Sequence, residues 1–427
     1  MREKCMKILG LCQNYAPEEQ NFYHHEMTTG LLAKGHDVTM LTAFPHYGKD
    51  SVYDGYRGKV FQREILDGVK VIRTWVYAPS KKNFLPRLIN FGSFCASSLA
   101  FGMFTVGRKD VIYTSIPPLP LGVTGFALAQ VTRARLVVSV QDIFPLAAVQ
   151  LGVLTNRWMI RFFEQMERWV YRKADHIVVI SEGFRQNLIS KGVPPEKISV
   201  VSNWADSDFI KPGSKDSSFR KELNVGTRFT LIYSGGLTHN SNLEPMIYAA
   251  DILRHEPFAF VIIGEGIQKE KLQKLASEKG LVNLQFRPFV PLEQYPEVLL
   301  AADMNLVTLN SKATFVSVPS KIYKQMAAGR PIMAICSAEN ELARLVTAGQ
   351  CGLLAPPDEP DKLVESLRWA VSHPEELVQM GINGRSYLVQ NHSRVRSLER
   401  FEAVLQQVVG RPKLDIEKTK MPTLNRP

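Results

Sequence analysis

A chain of 427 residues exceeds one ordinary hydrophobic core and points to two or three domains, and 45% hydrophobic with 22% charged residues is globular rather than disordered composition. The formal charge of +11 favours an anionic partner, either a phosphorylated small molecule or an anionic lipid surface. Nucleic acid is set aside, because the chain has no run of five basic residues, no zinc-ligand spacing and no RNA-binding signature.

The chain opens on the basic stretch Met1–Lys7, and the apolar run Ile8–Cys12 behind it is too short for a signal peptide, so it reads as a first buried strand. Asp37–Thr42, Val69–Thr74, Val111–Thr114, Arg135–Val140 and Ile177–Ile180 are further short apolar runs. They are continuous rather than alternating, as strands buried on both faces are. Segments of helical period such as His25–Lys34 and Trp158–Arg172 lie between them, and this alternation predicts a parallel sheet with right-handed crossovers. Leu88–Val106 is 19 residues without a charge, preceded by Lys81, Lys82 and Arg87. Three readings of it stay open: a helix covering the sheet, a helix docked on a membrane surface, or a span.

Asn203–Gly213 is polar, ends in Pro-Gly and reads as a linker. The pattern then restarts with Phe229–Tyr233, Ala259–Ile263, Leu284–Phe286, Met304–Thr308 and Pro331–Ile335. The expectation is an α/β protein of two doubly wound, Rossmann-like parallel-sheet domains, 1–205 and 206–395, facing across a cleft. A helix over 396–410 and a disordered tail over 411–427 with three prolines complete it. In such sheets ligands bind beyond the carboxyl ends of the strands. The five cysteines, Cys5, Cys12, Cys95, Cys336 and Cys351, are odd in number and irregularly spaced, which suits reduced thiols and a cytoplasmic location.

Certain phrases stand in a characteristic order and spacing. The first half carries Lys34-Gly-His-Asp-Val38, Phe44-Pro-His-Tyr-Gly48, Tyr53-Asp-Gly-Tyr56, Gln141-Asp-Ile-Phe-Pro145 and Ser202-Asn-Trp204. The second carries Tyr233-Ser-Gly-Gly-Leu237, Ile263-Gly-Glu-Gly266, Val318-Pro-Ser-Lys321 and Met326-Ala-Ala-Gly-Arg-Pro331. As a set they resemble the family 4 retaining glycosyltransferases over residues 7 to 410, and most of all bacterial enzymes of capsule, O-antigen and colanic acid synthesis that transfer fucose-type or N-acetylated sugars. The resemblance implies the GT-B fold and transfer of a sugar from a UDP- or GDP-linked donor onto a lipid-diphosphate-linked saccharide. It implies no cofactor and no metal, and a peripheral position on the inner face of the plasma membrane.

A retaining transferase must meet the charge that develops on the leaving diphosphate, which calls for placed cations and N–H donors. Pro319 is expected at a helix start whose free N–H groups face an anion, with Ser317 and Ser320 as hydroxyl donors and Lys321 as the charge. An ordinary capped helix with a surface lysine is the plainer alternative. Gly235, Gly236 and Gly264, with Gly266, let the backbone approach a phosphate or sugar, or simply make tight turns. Arg287 and Phe289 resemble the segment that holds the base. Asp142 is the candidate for orienting the acceptor or taking its proton, unless it caps the next helix. His46 and Tyr47 are candidates for acceptor contact, and the loop Tyr15–Phe22 is expected to face the donor. Asp206-Ser-Asp208 has the spacing of a metal-binding pair used by transferases of another fold, but lies in the linker.

The sequence departs from the family pattern at three places. The usual pair of glutamates is replaced by Val316 and Lys324, the usual arginine and lysine by Gly236 and Ser241, and the first-domain glycine pair by Glu19-Gln20-Asn21. These departures keep two other classes in view: a non-catalytic homologue that binds a nucleotide sugar or a partner enzyme, and a nucleotide-sugar epimerase of the same fold.

Overall fold

The computed structural model describes residues 5–18, 22–47, 49, 51–78, 84–150, 152–238, 241–310 and 318–410. The chain divides into two compact units, the first up to Val201 and resuming at Leu398, the second Ser202–Ser397.

The first unit is built on β1 (Lys7–Leu11), β2 (Asp37–Ala43), β3 (Phe61–Leu66), β4 (Val69–Thr74), β5 (Val111–Ile116), β6 (Arg135–Val140), β7 (His176–Val179) and β8 (Ile198–Val200), in the order β3-β4-β2-β1-β5-β6-β7-β8. Neighbours are parallel except β3 against β4. Every residue of β5 and β6 is buried, which is why these strands read as unbroken apolar runs. β3 escaped that reading for the opposite reason: it is an antiparallel edge strand on which Arg63 and Ile65 are exposed, with Gln62 and Glu64 between apolar positions.

The second unit carries β9 (Phe229–Ser234), β10 (Phe258–Ile263), β11 (Leu284–Arg287), β12 (Met304–Thr308), β13 (Ile332–Ile335) and β14 (Gly352–Ala355), all parallel, in the order β11-β10-β9-β12-β13-β14. Alternate residues of one strand feed two cores. Leu231, Phe260 and Ile262 pack on one face of the sheet, and Ile232, Val261 and Ile263 on the other. In both sheets the strand order reverses beside the first strand, at β1/β5 and at β9/β12. Those reversals open the crevices where doubly wound sheets take ligands.

Two expectations about organisation change. The polar segment 203–213 is no loose linker but part of the second unit: Ala205 bridges Ser393, and the Arg385 guanidinium donates to the carbonyls of Ser207 (2.8 Å) and Ile210 (2.7 Å). The C-terminal helix Arg394–Gly410 is not a separate appendage, because from Leu398 on it belongs to the first unit. There Phe401 sits edge-on to Tyr113 at 5.4 Å, and Glu402 accepts from Lys34 at 2.7 Å and bonds His36 at 2.9 Å. The expected tail, 411–427, lies outside the described residues.

The helix Phe84–Thr105 covers the first sheet. Its polar groups bond inward: Ser97 donates to the Trp75 carbonyl, and the Asn90 amide donates to the Tyr77 carbonyl at 2.6 Å and accepts from Gln13 at 2.6 Å. These bonds tie the helix to its own unit, although Leu85–Thr105 is long and apolar enough to cross a membrane by length and composition.

Candidate active site

At the carboxyl ends of the second sheet the backbone itself forms the surface. β9 runs into Gly235 and Gly236, and β10 into Gly264. The sheet hydrogen bonding continues past the strands, with Gly235 N–H donating to the Ile263 carbonyl (2.9 Å), Leu237 N–H to Glu265 (2.9 Å) and Gly264 N–H to Arg287 (3.0 Å). This lacing brings the turns so close that a Cβ on Gly264 would stand 2.0 Å from the Gly235 carbonyl oxygen. A Cβ on Gly266 would stand 2.3 Å from that of Leu237, and Gly235 and Gly266 hold φ of 149° and 151°. These are conformations and contacts that require glycine.

Lys321 opens the helix Lys321–Ala327, which follows β12. Its Nζ lies 3.8 Å from the centroid of the Tyr233 ring and would touch a Cβ on Gly235 at 2.7 Å. The Tyr233 hydroxyl in turn donates to the Gly236 carbonyl at 2.9 Å. The sequence reading gave Tyr233 no role, although it opens the phrase that carries the two glycines. The lysine is half-buried, and loss of hydration around the ammonium pushes its pKa down to about 7. Among the described residues no carboxylate pairs with it. A desolvated cation balanced only by a ring face is a place where an added anion gains interaction energy.

The neighbouring positions are less uniform. Pro319 stands one residue before Ser320, the capping position, rather than at the first helical residue, and its carbonyl accepts from Ile322 N–H at 3.1 Å. Ser320 is exposed and its hydroxyl caps nothing within the helix, so it is open to another partner. Ser317 and Val316 lie outside the described residues. One nitrogen of the Arg287 guanidinium donates to the Glu222 carbonyl (3.4 Å) and Gln285 Oε1 (3.3 Å), and its backbone carbonyl joins the glycine turns. Phe289 is half exposed at the end of β11. Lys324 lies 5.4 Å from the Tyr295 ring centroid, and the Tyr295 and Ser234 hydroxyls are 3.1 Å apart. Ser241 closes its own turn, donating to the Thr238 carbonyl and accepting from Thr238 N–H.

The carboxyl ends of the first sheet are built from side chains instead. Glu18, almost wholly buried in the β1 loop, accepts from His46 N–H at 2.8 Å and Tyr47 N–H at 2.9 Å. Nδ1 of His46 lies 2.9 Å from the Phe44 carbonyl, which can only accept, so Nδ1 carries the proton. Nε2 then accepts from the Asn90 amide at 3.1 Å. His46 is thus buried with both ring nitrogens engaged, and Tyr47 is the half-exposed member of the pair. The loop expected to face the donor turns Glu18 inward, and Glu19–Asn21 lie outside the described residues. Asp142 follows β6 and is exposed at the surface of the first unit. Desolvation pushes its carboxyl up to about 6, against the pull of Arg87. Among the described residues no three His, Cys, Asp or Glu side chains are grouped for a metal ion. Asp206 instead accepts from the N–H groups of Asp208 and Phe209 and pairs with Arg394.

Residues 20–204 match the Glycosyl transferase 4-like domain, and residues 214–387 the Glycosyl transferases group 1. WcaI of Escherichia coli K12, a glycosyl transferase assigned to colanic acid biosynthesis, is 31% identical over 382 residues, covering 87% of this chain and 93% of WcaI. The chain belongs to the family 4 glycosyltransferases. WbjE of Pseudomonas aeruginosa, also described as a glycosyltransferase, is 27% identical over 72% of this chain and 77% of its own. Among solved structures, Anabaena HepE with UDP bound superposes with a TM-score of 0.71 at 16% identity, covering 94% of this chain and 100% of that one. Sucrose-phosphate synthase from Thermosynechococcus elongatus gives 0.73 at 16% identity, covering 94% and 99%. The family 4 enzyme therefore has the GT-B fold, with two Rossmann-like parallel-sheet units.

Proposed function

We propose that this family 4 enzyme transfers a hexose-type sugar, with retention and without a metal ion, from a UDP- or GDP-sugar onto a lipid-diphosphate-linked saccharide during exopolysaccharide, O-antigen or capsule assembly. It would work as a peripheral protein on the cytoplasmic face of the plasma membrane. The observation that carries the reading is Lys321, a desolvated ammonium held on the Tyr233 ring beside glycine-lined strand ends. The HepE structure solved with UDP-glucose and the assignment of WcaI to colanic acid synthesis support it.

In this mechanism the bond between the anomeric carbon and the diphosphate oxygen breaks, and negative charge collects on the leaving oxygen. Lys321 and the Ser320 hydroxyl meet that charge without reorganising. The acceptor hydroxyl enters on the face the diphosphate leaves. Asp142 orients it and takes its proton, a task suited to a carboxyl whose pKa stands near 6. Lys324 stands where relatives place a glutamate, so recognition of the ribose and sugar falls to other groups.

The test is transfer itself. The protein is incubated in EDTA with UDP- and GDP-sugars and a lipid-diphosphate saccharide, and the product linkage is read by NMR. Transfer from one donor with its anomeric configuration kept is the expected result. Donor binding with no turnover would replace this reading with a non-catalytic one, and an altered sugar without transfer would point to an epimerase.

A further inference from the structure

One outer layer of the first unit is apolar where a water-facing layer is ordinarily polar. The Phe84–Thr105 helix turns Asn90, Phe94, Ser98 and Gly102 inward at four-residue spacing. On its opposite side Leu85, Ile89, Ala96, Ala100 and Phe104 are all exposed, Leu85 by 63% and Phe104 by 86%. A helix apolar on both sides belongs in a core or against lipid, and this one has no core on its outer side.

A second helix continues the feature. Arg157–Lys173 starts where Asn156 accepts from Trp158 and Met159 N–H, and it buries Phe163, Val170 and Tyr171. Its outer stripe sets Trp158, 77% exposed, and Phe162, 56% exposed, among Arg157, Arg161 and Arg168. Pro120–Thr132 lies between the two helices. Leu128 packs against Gly102 on one side, Phe126 lies edge-on to Trp169 at 5.1 Å on the other, and the outward Val123 and Val131 are apolar as well.

Charge decides what such a face meets. Residues 84–173 hold ten Lys and Arg against four Asp and Glu, and of these four Glu167 is buried and paired with Lys191 at 2.7 Å. A second copy would bring two positive faces together. An anionic bilayer satisfies both the apolar stripe and the arginines around it.

We infer that this three-helix face docks on an anionic lipid bilayer, with Phe84–Thr105 lying in the plane of the interface, Trp158 and Phe162 inserted, and Arg157 and Arg161 on the head groups. The inference rests on the lipid-linked acceptor proposed above. Both exposed helices begin on the carboxyl side of the sheet, after β4 and β6, the side on which Asp142 stands. Docking through them brings a membrane-held acceptor to that carboxylate.

The experiment is flotation of the full-length protein with phosphatidylcholine vesicles, with and without phosphatidylglycerol, alongside its melting shift with nucleotides and its sedimentation velocity without lipid. Wild type should float only with the anionic vesicles. The double substitution Arg157→Glu with Arg161→Glu should weaken binding by about tenfold or more, and Trp158→Ser with Phe162→Ser should do the same, with melting temperature and nucleotide shift kept in both. Absence of wild-type flotation, or variants that float as wild type does, would overturn the proposal. So would a dimer that the same substitutions dissolve. A nucleotide shift without flotation defeats the docking alone, whereas flotation without any nucleotide shift leaves the docking standing and defeats the donor assignment.

Discussion

The carboxyl ends of the two sheets are built from different materials. In the second unit the surface is peptide backbone, laced across Gly235, Gly264 and Leu237, with one lysine above it. In the first unit it is a set of side chains, Glu18, His46, Asn90 and Gln13, each holding the next. Backbone donors and a point charge suit a diphosphate, which every nucleotide donor shares, and carry little information about base or sugar. A locked side-chain network suits an acceptor whose hydroxyls have to be distinguished. On the proposed reading, glycine-permitted backbone would hold the diphosphate, and a network of side chains would recognise the acceptor.

If that division holds, substitutions at one end should leave the other untouched. The largest effect is expected from Gly264→Val, because the new side chain has only the Gly235 carbonyl to displace. Overpacking of this kind costs roughly 1–3 kcal/mol, and calorimetry should detect no nucleotide binding, while chemical unfolding of the first unit is unchanged. Nucleotide affinity equal to wild type would mean the strand-end turns do not form the donor surface. Asp142→Asn should come next, lowering turnover by about a hundredfold with donor affinity kept. The sign of its pH dependence follows from desolvation by the surrounding protein. The pKa is raised to about 6, so the proton-accepting carboxylate gathers as pH rises through that value, and the wild-type rate should climb there. A variant that keeps the same acidic limb would remove Asp142 from the reaction. Glu18→Ala is smaller. It strips the His46 and Tyr47 N–H groups of a charged acceptor, costing about 2 kcal/mol in denaturant unfolding, and should raise the acceptor KM without moving nucleotide affinity. A matching loss of nucleotide affinity would show that the two ends are not independent.

The same contrast explains what could be read in advance. Buried parallel strands announce themselves as apolar runs, so β5, β6, β9 and β10 were legible, whereas β3, half exposed and antiparallel, was not. The return of Leu398, Phe401 and Glu402 to the first unit was hidden because the partners of Glu402, Lys34 and His36, are more than 360 residues away, although Leu398, Phe401, Leu405 and Val408 do repeat at helical spacing. At the proposed donor end the glycines and Lys321 stood out because backbone approach and charge depend on residue type. Tyr233 was passed over as one more strand residue, since only its place under the ammonium gives it a role. At the acceptor end His46 was visible, but its tautomer depends on Asn90, 44 residues away, and its backbone on Glu18, 28 residues away. Arg287 stood out by residue type, but the contact of its guanidinium with the Glu222 carbonyl, 65 residues away, depends on the fold.

The central claim is that Lys321 and the glycine-lined strand ends hold a nucleoside diphosphate without metal. Isothermal titration of UDP and GDP into wild type and Lys321→Ala, in EDTA and across pH 6 to 9, tests it most directly. One diphosphate should bind the wild type, and the variant should bind it about tenfold more weakly, a loss of about 1.4 kcal/mol, with the melting temperature kept. Because burial has lowered the lysine pKa to about 7, wild-type affinity should fall as pH rises above neutrality and lose that slope in the variant. Equal affinity in the two proteins, or no binding until a divalent cation is added, would contradict it.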